Sequence, residues 1–485
     1  MDGFFEIYQL LFDNLLWINI ILGIALVFIE RKNPTSTWLW LMVLTFLPGI
    51  GFILYLFLGQ DLSKKKIFET KREEDDSFEY LAKEQADQID KNIFNYGDPN
   101  YEQYKDLINM HLINSQSYYS QDNNVELLYS GEEKFDSLLK DIEEAEKFIH
   151  MQYYIFKRDN LGKKILNALA KKAEEGLDVK LLVDGMGGRF LSKGFLKKYR
   201  DAGVKIAIFL PAFVPFISIR INYRNHRKIC IIDGKEAYLG GFNVGDEYLG
   251  LSKKFGNWRD THLKISGSSV SALEWRFILD WRFATKDDLG SHYTYLPEET
   301  GDNNVGIQIV SSGPDSKWPG IKDGYMKMVT NARNKLYIET PYFIPDDSMF
   351  ESLRIAGLSG VDVRVMIPNK PDHIFVYWAG LSYIGELLQS GVKFYTYEKG
   401  FNHSKLFIMD DFVSSVGTAN LDIRSFKLNF EVNAFIYDEA INTKLTERFI
   451  NDLKDCKEIT IGEYEKRSNI VKIKESISRL LSPIL

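Results

Sequence analysis

Cysteine is close to absent from this chain: 485 residues carry two, Cys230 and Cys456. That count excludes a disulfide framework and leaves zinc no cysteine cluster to bind. Cys230 lies inside an apolar run, where a free thiol serves as a small core side chain. An excess of positive charge is missing too. The net charge is −7, so the whole molecule has no electrostatic pull on nucleic acid, although a local basic groove would escape this count. A secretory signal also lacks its marks. No Lys or Arg precedes the first apolar run, and no small-residue cleavage site follows it.

What is present is apolar at the start and ordinary afterwards. Residues from Phe4 to Ile29 are mostly Leu, Ile and Phe, interrupted by Asp13, Asn14 and Asn19. A second run, TWLWLMVLTFLPGIGFILYLFLG, covers Thr37 to Gly59, 23 residues without a charge. A helix needs ~20 such residues to cross a bilayer. Trp17, Trp38, Trp40 and Tyr55 sit near the ends of these runs, where interfacial aromatics collect. Residues 1–60 therefore read as a transmembrane helical hairpin, with a buried helix as the other reading of its first run. Arg31 and Lys32 are the loop cations, whereas Lys64, Lys65, Lys66, Lys71 and Arg72 follow the second run. That asymmetry puts the large C-terminal portion in the cytoplasm, on the inner side of the cell membrane.

Residues 61–120 are rich in Lys, Glu, Asp and Asn and read as a solvated, charged connector with some helix. Beyond them, apolar blocks alternate with amphipathic ones, the pattern of an α/β fold. This part repeats itself. KFIHMQYYI (147–155) returns as KLYIETPYFI (335–344), EGLDVKLLVD (175–184) as SGVDVRVMIP (359–368), and AGVKIAIF (202–209) as SGVKFYTY (390–397). The expected architecture is two similar α/β halves, 121–295 and 296–465, related by a pseudo-two-fold axis, with a basic amphipathic helix at 466–485. The first half carries an extra apolar stretch, LPAFVPFISIR (210–220), which either plugs the core or reaches lipid.

Each half then presents one motif. In the first it is His226-x-Lys228, four residues, Asp233, six residues, Gly240-Gly241-x-Asn243; in the second it is His403-x-Lys405, four residues, Asp410, six residues, Gly417-Thr418-x-Asn420. Alternate strand positions share a face, so His and Lys project together while Arg227 or Ser404 points away. Asp233 and Asp410 fall on the opposite face from their His, where they brace the turn. Packed on a common axis, two His, two Lys and two Asn converge on one pocket. Ammonium and amide donors there would hold the oxygens of a phosphate diester and leave the imidazoles free for chemistry.

The doubled motif resembles the phospholipase D superfamily. With the apolar N-terminus and the phrases RNHRKICIIDG, GGFNVGDEY, NWRDTH, TPYFIPD and RLLSPIL, the chain resembles in particular the bacterial cardiolipin synthases. The resemblance implies a phosphatidyltransferase that turns two phosphatidylglycerol molecules into cardiolipin and glycerol without metal or cofactor. It implies a catalytic set of His226, Lys228 and Asp233 with His403, Lys405 and Asp410. His226 would be the nucleophile and His403 the acid and then the base, a symmetry the residues alone do not break. Asn243, Asn420 and Thr418 would support the phosphate, and Asp260 and Glu431 would each accept the second ring nitrogen of a His. Gly241 departs from the pattern, because that position often carries a hydroxyl, so phosphate contacts are expected to be unequal. Phospholipid and membrane are the implied partners, and nucleic acid is not. Water or another alcohol as acceptor stays open, as does homo-oligomerisation. The C-terminal helix, with Ile473, Ile477, Leu480 and Ile484 at helical spacing, either contacts anionic lipid or packs on the domain.

Overall fold

A computed structural model describes residues 15–29, 34–47, 50–51, 55, 79–211, 223–287 and 304–482. The stretch 210–220 lies outside these residues from 212 onward, as does most of the 1–60 hairpin's second run beyond residue 51.

The N-terminal residues form a unit of their own. Two helices, Leu15–Ile29 and Pro34–Phe46, pack together, and the Asn19 amide donates to the Leu44 carbonyl. They have 15 and 13 residues, and among the described residues no helix is long and apolar enough to cross a membrane. The expected spanning hairpin extends over flanking residues that lie outside those described.

The other unit contains both halves, joined through one 15-stranded sheet. From the middle outward, the first half runs Ser120–Leu128, His262–Ser266, Glu236–Gly240, Ile229–Ile232, Phe148–Tyr153, Asp178–Asp184 and Lys205–Phe209. The second repeats that order from Val305–Ser312 through Glu431–Tyr437, Val413–Gly417, Leu406–Met409, Lys335–Glu339, Asp362–Pro368 and Lys393–Tyr397, and adds Cys456–Ile459 at its edge. Strands Ser120–Leu128 and Val305–Ser312 pair antiparallel at the seam, with Ser120 opposite Ile307 and Asn123 opposite Val305. Mirrored order across an antiparallel seam is the pseudo-two-fold expected from the repeats.

Local sequence explains the elements. Phe148–Tyr153 and Asp178–Asp184 are parallel neighbours buried almost throughout, including the polar His150, Gln152 and Lys180. Helix Asn160–Glu174 starts on the Asp159 cap and buries Leu161, Ile165, Leu166 and Leu169 along one stripe. The segment expected as a solvated connector behaves otherwise. Its helices Glu79–Asp90 and Lys105–Ser115 put Ala82, Ile89, Leu107, Ile108 and Leu112 into the core of the second half, beside Tyr325 and Met328. Their apolar residues are too sparse among the charges to show a clear period.

Candidate active site

Each motif lies just ahead of a four-residue strand, Ile229–Ile232 or Leu406–Met409. Its position is set from across the seam. The His226 backbone N–H donates to the Phe430 carbonyl at 2.9 Å, and the His403 N–H donates to the Arg259 carbonyl at 2.7 Å. Phe430 and Arg259 immediately precede Glu431 and Asp260. The same crossing therefore brings each motif histidine to a carboxylate of the opposite half. His226 Nδ1 lies 3.0 Å from Glu431, and His403 Nδ1 lies 2.7 Å from Asp260. The resemblance implies Asp260 and Glu431 as acceptors, each downstream of its own motif; the structure exchanges them between the halves. With Nδ1 donating, each neutral ring is the tautomer that leaves a lone pair on Nε2.

Both motif lysines are buried. Lys228 Nζ donates to the His226 carbonyl at 2.5 Å, and Lys405 Nζ donates to the His403 carbonyl while lying 2.9 Å from His403 Nδ1. The intervening Arg227 points away, as alternation requires, but into the interior. Its guanidinium meets Asp280 at 2.5 Å and Ser311 Oγ at 2.6 Å, and Nε donates to the Glu431 carbonyl at 3.2 Å. Ser404 occupies the matching place and bonds Thr261 Oγ1 at 2.9 Å. There the guanidinium comes instead from Arg259, which binds Asp452 at 2.6 Å and donates to the Asp260 carbonyl. A buried cation thus grips the backbone of each His-holding carboxylate residue. The sequence alone did not mark either arginine as part of the site, because Arg227 sits within the basic run of Arg224 and Lys228.

Asn243 and Asn420 end the two motifs. Asn243 accepts from the Ile155 N–H at 3.0 Å and donates to the Tyr248 hydroxyl at 3.2 Å; Asn420 donates to Asp422 at 3.0 Å. An amide nitrogen carries two hydrogens, so each side chain keeps one donor beyond these bonds. Thr418 does not offer its hydroxyl to a ligand. The hydroxyl donates to Glu431 at 2.6 Å and accepts from the Val432 N–H at 2.9 Å. Gly241 is explained by the same contact: a Cβ there would meet Asp260 Oδ1 at 2.0 Å. The inequality between the halves therefore lies in how each carboxylate is seated.

Asp233 and Asp410 stand at the far ends of the motif strands, away from their histidines. Asp233 accepts the N–H groups of Glu146, Lys147 and Phe148, and Asp410 those of Arg333, Asn334 and Lys335. Both have left-handed backbone, φ 55° and 47°, a conformation Asp tolerates. They fasten the starts of neighbouring strands. Two aromatic rings complete the site: Tyr154 lies 5.0 Å from the His226 ring and Trp258 5.3 Å from the His403 ring, centroid to centroid.

Charge at the site is set mainly by burial. It pushes His226 down to about 4, against the pull of Glu431 and with the push of Lys228 and Lys405. His403 is also held well below the usual range, by burial and then by Lys405 and Lys228. Burial lowers Lys405 to about 8 against Asp260 and Glu431, and holds Lys228 well below its ordinary range. The carboxylates part company. Burial raises Asp260 to about 6, whereas for Glu431 burial is outweighed by His226, Lys228 and the Thr418 hydroxyl, which leave it below the ordinary range. Because His403 responds to His226 and Lys228, and Lys228 to Lys405 and Asp260, the groups share one electrostatic site.

Comparison with known proteins agrees with this arrangement. The family described as "Cardiolipin synthase, PLD-like domain" matches residues 138–255 and 325–453, and "Phospholipase_D-nuclease N-terminal" matches 16–60. Cardiolipin synthase 2 of Staphylococcus epidermidis is 49% identical over 480 residues, covering 99% of this chain and 98% of that protein. The major cardiolipin synthase ClsA of Bacillus subtilis is 50% identical over 475 residues, 96% of this chain and 97% of that one. A phosphatidylserine synthase structure from Haemophilus influenzae shares the fold, with TM-score 0.59 at 17% identity over 74% of this chain and 95% of its own.

Proposed function

The chain belongs to the cardiolipin synthase family, phosphatidyltransferases with a phospholipase D-like domain, and from that premise we propose that it converts two phosphatidylglycerol molecules into cardiolipin and glycerol. The observation that carries the mechanism is the crossed pairing: each imidazole is held through Nδ1 by a carboxylate of the other half. Neutral His226 attacks phosphorus through Nε2. The bond from phosphorus to the departing glycerol oxygen breaks, and His403 Nε2 gives that oxygen its proton. The chain now bears a phosphatidyl group on His226. A hydroxyl of the second phosphatidylglycerol then loses its proton to His403 and attacks phosphorus, and the phosphorus–nitrogen bond breaks to restore His226.

Glu431, kept anionic, supports the positive charge that the His226 ring acquires as it bonds phosphorus, which favours this assignment of the nucleophile. The substrate itself readies the acid: a phosphodiester anion between the rings raises His403 from the depressed range it occupies beside two lysines. Lys228, Lys405 and the spare amide donors of Asn243 and Asn420 face charge on the phosphoryl oxygens, a role that needs no metal. The apolar N-terminal helices anchor the chain in the cell membrane, with the catalytic unit on the cytoplasmic side.

The test is a product assay on purified full-length protein in detergent with phosphatidylglycerol and EDTA. Cardiolipin and glycerol in equal amounts are the expected products. Phosphatidic acid instead would mean that water is the acceptor, and a transferase would be the wrong reading.

A further inference from the structure

The C-terminal helix Asn469–Leu480 is mounted the wrong way round for a helix whose only neighbour is protein. It packs along helix Ile374–Gln389, yet the side chains it buries are Glu475 and Ser478. Glu475 reaches Arg467 at 2.9 Å. Its apolar stripe faces out: Ile470 is 66% exposed, Ile473 58%, Ile477 54% and Leu480 81%. A surface helix ordinarily buries that stripe.

The register of the two helices extends the patch. Lys474 lies over the Trp378 ring at 5.2 Å and Arg479 over Tyr383 at 4.5 Å, so the helices run parallel and Ile470 comes level with Ile374. Ile374 and Phe375 are exposed as well. They follow Asp372, whose charge acts on His403 and Lys405, so this end of the patch adjoins the catalytic site. The first half has a counterpart. Phe190, six residues beyond strand Asp178–Asp184 as Ile374 is beyond Asp362–Pro368, is exposed, and its neighbour Arg189 acts on Tyr154 beside His226. Lys472, Lys474 and Arg479 flank the stripe in a chain whose net charge is −7.

We propose that the exposed stripe of helix Asn469–Leu480, continued by Ile374 and Phe375, docks the catalytic unit on an anionic phospholipid bilayer, with the stripe in the interface and the flanking cations on headgroup phosphates. This deepens the function proposed above, on which it rests, by adding a lipid contact separate from the N-terminal helices. An anionic bilayer fits better than a protein partner because the cations border an aliphatic stripe and because the patch runs to the edge of a site built for a phosphodiester.

The test uses the full chain with Cys456→Ser and Ile473→Cys, labelled at the new thiol with an environment-sensitive fluorophore and placed in nanodiscs. In discs of phosphatidylglycerol the emission shifts to the blue and is quenched by lipids spin-labelled near the headgroup; in phosphatidylcholine both effects shrink. Emission as in water in both discs overturns the proposal, as does burial of the label in detergent that grows with protein concentration, which would mean a second copy covers the face. In parallel, Ile473→Glu with Ile477→Glu raises KM for bilayer phosphatidylglycerol about tenfold and leaves kcat on a monomeric short-chain analogue unchanged; equal losses on both substrates would mark the helix as merely structural and overturn it. Label immersion is read without turnover, so an inactive protein would count against the proposed reaction and leave the docking result standing.

Discussion

The two ends of the site solve one problem with different parts. At His226 the acceptor is a long carboxylate, Glu431, which receives the Thr418 hydroxyl and the Asn429 amide and stays anionic. At His403 the acceptor is the shorter Asp260. It presses against Gly241, receives the Thr261 N–H at 2.8 Å, and is raised to about 6. The gripping arginine belongs to the motif at one end and to the opposite half at the other. A duplicated fold has thus kept its backbone symmetry while its charge symmetry has broken, and two chemically distinct imidazoles follow from two nearly identical motifs.

The largest effects should come from the imidazoles. Replacing His226 or His403 by Ala should each cost ~10⁴-fold or more in kcat, measured as cardiolipin formed; near-normal rate in either variant would mean that one half works alone. Next come the carboxylates, where the halves should diverge with pH. Glu431→Gln and Asp260→Asn should each slow turnover ~10²- to 10⁴-fold at pH 8. Asp260, with its pKa raised to about 6, is a carboxylate above that pH and neutral below it, so the Asn deficit relative to wild type should shrink as pH falls from 8 to 5. The Gln deficit should not, because Glu431 remains anionic throughout that range. Parallel profiles for the two variants would erase the asymmetry.

A smaller contrast tests the seating of the carboxylates. Gly241→Ala adds a Cβ that collides with Asp260 and should cut kcat ~100-fold while KM holds. Thr418→Ala removes one bond to a charged partner, worth about 1.5–3 kcal/mol, and should cost at least ~10-fold. Arg227→Lys keeps a cation near Asp280 but loses the planar fork that also reaches Ser311 and the Glu431 carbonyl. It should slow turnover roughly 10-fold, and the loss should appear in kcat with little change in KM, as suits a positioning residue.

Much of this was legible in the sequence because identical spacing over 18 residues is hard to obtain without a shared backbone. Strand alternation gave Asp233 and Asp410 a face away from their histidines, while the strand starts they fasten became visible only in the fold. The crossing did not follow. His226 and Glu431 are 205 positions apart, and no local rule says which half a downstream carboxylate will serve. Arg227 was readable as pointing away from the site but not as buried, because alternation gives a face and not what covers it. The C-terminal helix shows the same limit: its period was plain in Ile473, Ile477 and Leu480, while its outward orientation depends on the Glu475–Arg467 pair that the fold assembles. At the N-terminus the apolar runs were plain, and the hairpin they imply extends over residues outside those described.

Acid-quenched trapping reads directly whether the two motifs form one shared site with one nucleophile. Full-length protein mixed with phosphatidylglycerol labelled in its phosphate, quenched and digested, should carry at most one phosphatidyl group per chain, on His226. Label divided between His226 and His403, or two groups on one chain, would show two independent half-sites and contradict the shared one.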